Sequence, residues 1–125
     1  MSKFYLLLSA IGLSVIALSY GLAPGTFLPP VLDFTVESTD LTHIFRGVMG
    51  LYGGMALFWI IAAFSPSLTR AGVLSVICFM AGLGLGRILS LVIEGIPSPL
   101  LLIYLGLEAA MAAFGLFIIK NPSHP

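Results

Sequence analysis

Four long apolar runs divide the chain, covering about Phe4 to Leu22, Leu41 to Phe64, Ala71 to Ile93 and Leu100 to Ile119. Each comes close to the roughly 20 apolar residues that a helix needs to cross about 30 Å of hydrocarbon. The pattern predicts an all-α protein: a four-transmembrane-helix antiparallel bundle that uses residues 1–125 as a single integral membrane domain.

The connections refine this picture. Ser65 to Arg70 and Glu94 to Pro99 read as tight, proline-containing turns. Short turns make sequential helices antiparallel neighbours, so the second, third and fourth spans should pack in chain order. The first connection, residues 23–40, is far longer than the usual loop of about 4–6 residues. It carries Pro24, Gly25, Pro29 and Pro30, then Val31, Leu32, Phe34 and Val36. We expect it to lie on the outer face, with Phe27, Leu28, Leu32 and Phe34 dipping into the headgroups. Ser38 or Thr39, followed by Asp40 and Thr42, has the character of the cap that opens the second helix. The first run has a second reading as a signal peptide, from Lys3, the apolar stretch, Ala17 and Ser19. Its continuation through Tyr20, Gly21 and Leu22 favours a retained span.

Composition supports a lipid-facing surface. Hydrophobic residues make up 59% of the 125 residues and charged residues 8%. A soluble domain carries about 25% charged residues, and so few charges would leave large apolar patches in water. Five basic and five acidic residues give a net charge of zero, without the clustered Lys and Arg of a nucleic-acid footprint. One cysteine, Cys78, excludes an intrachain disulfide and a dithiol redox centre. With only His43 and His124 beside it, a zinc or haem site is not expected. His43 is expected at the interface and His124 in the polar tail. Cys78 reads as a buried small hydrophobe, and Trp59 lies too deep in its span for a good interfacial anchor.

The charges between the runs alternate in sign. Lys3, Arg70 and Lys120 fall on one side, and Asp33, Glu37, Asp40 and Glu94 on the other. By the positive-inside rule both termini are expected in the cytoplasm.

Small residues recur on one face of each run. Lipid offers no hydrophobic reason for helices to associate, so such faces mark close contacts. Gly50 and Gly54 mark the second helix, Gly82 and Gly86 the third, and Gly106 and Ala110 the fourth, with Ser9, Gly12 and Ser19 on the first. The expectation is packing within the bundle, a dimer face being the alternative. Met49, Met55, Met80 and Met111 are expected to fill the core.

Three charges lie inside the runs: Arg46, Arg87 and Glu108. A charge at the centre of a spanning helix costs several kcal/mol, so it normally faces the interior with a partner. At a rise of about 1.5 Å per residue, Arg87 sits roughly 9 Å and Glu108 roughly 12 Å below the same end of adjacent helices. The depths predict an Arg87–Glu108 pair. Arg46, near the outer end of the second helix, could reach Glu94, Asp40 or Glu108. Tyr52, Tyr104 and His43 are the other polar side chains of that half. Two readings stay open. The cluster is a satisfied network that fixes packing, or it lines a cavity for a polar or amphipathic ligand. A carboxylate locked to arginine stays ionised, which weighs against a simple proton relay.

The run from Thr39 to Tyr52, TDLTHIFRGVMGLY, resembles the second-helix signature of a bacterial family of uncharacterised four-span integral membrane proteins, domain of unknown function 4345. Gly82 to Arg87, with Ser90, Glu94-Gly95 and Pro97-Ser98-Pro99, is similar to its third-helix and turn pattern, and Leu107-Glu108 to its acidic position in the fourth helix. The resemblance covers nearly the whole chain and implies a four-span fold in which Arg46, Arg87, Glu94 and Glu108 act together. It implies no activity.

The expected function is non-enzymatic, with no phosphate loop, HExxH or GxSxG motif to carry chemistry and with no cofactor or metal. The candidate site is Arg46, Tyr52, Arg87, Glu94, Tyr104 and Glu108. Expected partners are the bilayer, a lipid or small hydrophobic ligand, and a homo-oligomer or partner membrane protein. The alternative is ion- or proton-coupled transport by an oligomer, by a fold-level analogy with small multidrug transporters.

Overall fold

The computed structural model describes residues 1–22, 26, 30 and 38–121. Among the described residues there are four helices: α1 (Ser2–Gly21), α2 (Thr39–Phe64), α3 (Pro66–Ile93) and α4 (Pro99–Lys120). All four are long and apolar enough to cross a membrane, as in a small multi-pass membrane protein. No strand occurs among the described residues. The interfacial segment expected around Phe27, Leu28, Leu32 and Phe34 lies outside the described residues.

The helices run up, down, up, down. One end of the bundle, the loop end, carries the α1–α2 and α3–α4 connections. The other, the terminal end, carries the beginning of α1, the end of α4 and the α2–α3 joint. There Lys3 places its ammonium 4.4 Å from the centre of the Phe64 ring. At the loop end Tyr20 meets Phe45 and Tyr52 at ring separations of 5.8 and 6.3 Å.

Helix starts follow local chemistry. Ser38 is the α2 cap, its side chain accepting from the Leu41 N–H at 3.0 Å. Proline opens both α3 and α4, where its missing N–H would have had no partner anyway. The α2–α3 joint is tighter than the turn expected over residues 65–70. Ser65 alone separates the two helices, and Arg70 lies inside α3. Pro66 starts α3 at once, and the Thr69 hydroxyl, 2.8 Å from the Ala62 carbonyl, ties the new helix to the last turn of the old one. At 28 residues, α3 is about 42 Å long. The α3–α4 turn needs Gly95, whose φ of 97° is open to glycine at little cost.

The core gathers towards the terminal end. Tyr5, Leu6, Trp59, Val73 and Val76 are fully buried. Tyr5 donates to the Met111 carbonyl at 2.7 Å, tying α1 to α4. Trp59, 0% exposed, is a core residue and no interfacial anchor, and its Nε1–H donates to Ser75 Oγ at 3.0 Å. Met55, Met80 and Met111 pack against this core, as expected.

The close helix contacts do not fall where small-residue spacing placed them. Gly50, Gly54, Gly82, Gly86 and Gly106 are exposed, and a Cβ built on any of them meets nothing within 4 Å. Ala110 is exposed as well. The expectation that these six pack the bundle is corrected. Gly21 against Met49, Gly72 against Ala62 and Leu6, and Gly115 against Tyr5 and Ile77 are the crowded glycines. Cys78, expected to be buried, is exposed too.

Candidate functional site

The tight turn around Gly95 lays α4 back along α3, and fixed helical rise then brings position 87 level with position 108. Arg87 Nε donates to both carboxylate oxygens of Glu108, at 2.9 and 3.1 Å. Glu108 is only 6% exposed. Single-atom donation leaves the two terminal NH₂ groups of the guanidinium outside the carboxylate contact. Removing water from two opposite charges is costly, and direct hydrogen bonding is the arrangement that offsets it.

A ring of tyrosines surrounds the pair. The Tyr104 ring lies 5.7 Å from the guanidinium carbon. Tyr20, Tyr52 and Tyr104 all stand within electrostatic reach of Arg87 and Glu108. Tyr52 also stacks edge-on against Phe79 at 5.3 Å. Tyr20 is the member that sequence reasoning missed. It sits at the end of α1, which carries no charge at that end and no tight turn to fix its register. Its aromatic neighbours Phe45 and Tyr52 became visible only once α1 lay against α2.

Two predicted members stay outside. Arg46 is exposed and forms no ion pair among the described residues, so its expected reach to Glu94, Asp40 or Glu108 is not realised. Glu94 is exposed at the end of α3, where it accepts from Ser90 Oγ at 2.5 Å. His43 is exposed as well.

The ion pair lies between two hollows. The larger, about 770 Å³, opens between α2 and α4, which make no contact with each other. Its floor is the α3 stripe Cys78, Gly82, Gly86 and Ser90, one residue per turn, and its walls are apolar side chains such as Val48, Leu51, Leu101 and Leu105. Arg87, Tyr20 and Tyr52 give it a polar edge. From Ser90 to Cys78 the floor is about 18 Å long. The smaller hollow, about 230 Å³, lies between α1, α3 and α4, and Glu108 lines this one alone. Arg87, Tyr52 and Leu83 line both. Among the described residues no group of three or more His, Cys, Asp or Glu side chains could hold a metal ion.

Residues 1–119 match the family described as Domain of unknown function (DUF4345). The chain belongs to that family. The match spans all four helices, including both partners of the ion pair. No curated protein and no solved structure is a significant match to the chain.

Proposed function

We propose that this member of the DUF4345 family is a non-enzymatic membrane protein that binds a single-chain or diacyl lipid in the α2–α4 cleft. The observation that carries the proposal is the cleft itself. A floor of small residues, with Gly82 and Gly86 open at its middle, runs about 18 Å from the loop end, close to half of a hydrocarbon core about 30 Å thick. An acyl chain of one leaflet fits that length. At its side the Arg87 guanidinium, which Tyr20 also engages, presents its positive charge to an ester or phosphate oxygen, and Glu108 holds it in place.

The charge distribution supports an orientation as well. Lys3, Arg70 and Lys120 stand at the terminal end, Asp40 and Glu94 at the loop end. We place the terminal end in the cytoplasm and the cleft in the outer leaflet of a bacterial inner membrane. The exposed glycines of α2 and α4 leave room for a second copy or a partner membrane protein. Coupled transport draws no support from Glu108, which is buried and bonded to Arg87 through both oxygens.

The test is native mass spectrometry of the detergent-purified protein against a panel of phospholipids and lysophospholipids. Gly82→Leu and Gly86→Leu fill the floor without meeting another atom at Cβ. Retained lipid should fall by about tenfold or more in both. Equal retention by the wild-type protein and both variants would overturn the proposal.

A further inference from the structure

The smaller hollow carries a separate inference, independent of lipid in the larger cleft. Glu108 is more than nine-tenths buried, and among the described residues a single N–H, Arg87 Nε, serves both of its oxygens. A carboxylate has about four lone-pair sites, so acceptor capacity remains on Glu108, which lines the 230 Å³ hollow. The rest of the lining is apolar apart from Ser9, Arg87 and two tyrosines, and Ser9 already donates to the Tyr5 carbonyl at 2.8 Å.

Gly12 of α1 forms part of that lining, and a Cβ there would meet nothing within 4 Å. A larger side chain at this position would therefore extend into open space on the α1 side of the hollow. An apolar cavity of about 150 Å³ already holds benzene, so the hollow has room for a ring with a substituent.

We infer that the α1–α3–α4 hollow is a second binding site, for a small membrane-soluble molecule with an aromatic or alicyclic body and one hydroxyl that donates to Glu108. Arg87 holds the carboxylate in place through both oxygens, so the acceptor is positioned before the molecule arrives. An apolar body then matches Leu13, Met80 and Leu107. A purely apolar ring would fill the same space but forgo a hydrogen bond to a charged acceptor.

The probe is 4-fluorophenol, with fluorobenzene as its hydroxyl-free counterpart, followed by fluorine NMR on the protein in lipid nanodiscs with empty nanodiscs as baseline. The phenol should bind saturably, and fluorobenzene about tenfold or more weakly, as expected for one hydrogen bond to a charged group. Gly12→Leu should abolish binding, and Ile16→Phe on the same helix should reproduce the loss. Gly86→Leu, which fills only the larger cleft, should leave phenol binding intact, and this separates the site from the lipid proposal. No saturable binding, equal binding of both probes, or binding that survives Gly12→Leu and Ile16→Phe would each overturn the inference.

Discussion

Arg87 and Glu108 meet at 2.9 Å through one nitrogen of the guanidinium, on helices joined by a turn of only five residues. Breaking such a pair on one side costs more than removing it altogether, because the remaining charge stays in a low-dielectric site. Glu108→Gln should lower stability by about 3–5 kcal/mol at most. The Arg87 side chain is 23% exposed and can turn towards the cleft, so the loss should fall at the low end. Thermal unfolding in detergent reads this directly, and an unchanged midpoint would sink the paired-charge account. The double variant Arg87→Leu with Glu108→Leu should recover much of the loss.

A buried and an exposed glycine should respond with opposite signs. Gly115→Ala puts a methyl group into Tyr5 and Ile77, and overpacking of this kind costs about 1–3 kcal/mol. Gly82→Ala meets nothing and should gain up to about 1 kcal/mol of helix propensity. Comparing the two unfolding midpoints checks both. Similar losses at the two positions would mean that Gly82 is packed against something after all.

Trp59 is the one tryptophan in the chain, so its fluorescence reports a single place. Ser75→Ala removes the acceptor of its N–H. Hydrogen bonds between spanning helices average about 0.6 kcal/mol, with about 1.7 as the ceiling. We expect a loss within that range, accompanied by a shift in the emission maximum. Identical emission from wild type and variant would remove this bond from the α2–α3 interface.

Cys78 is the one cysteine and lies on the exposed floor of the larger cleft. A small uncharged maleimide should label it in delipidated protein, and added phospholipid should slow labelling several-fold. In Gly82→Leu, one turn away, labelling should be slow with or without lipid. Labelling indifferent to both would place the lipid elsewhere.

Parts of this arrangement were readable in advance for stated reasons. Spans depend on length and hydropathy, and both are local. The Arg87–Glu108 pair was readable because a tight turn and a fixed rise leave little freedom in relative depth. Tyr20 was not, because nothing in the sequence of α1 says which of its residues faces α3. Arg46 misled for the opposite reason: it has the right depth and the wrong face. The α3 start was misplaced because proline reads as a breaker, although at the first helical position it is a good starter.

The chain by itself determined that there are four helices long enough to span a bilayer, where each of them ends to within one residue, and that one arginine and one glutamate inside the spans lie at the same level. Only the tertiary structure decided which face of each helix turns inward. Every helix is apolar all round, and lipid is as apolar as the protein core, so hydropathy carries no signal separating the two environments. Glycine at positions 72 and 115 lets neighbouring side chains press against the helix backbone, whereas at 82 and 86 it leaves a cleft. The residue is the same; the neighbour that α1, α2 or α4 brings alongside, or fails to bring, makes the difference.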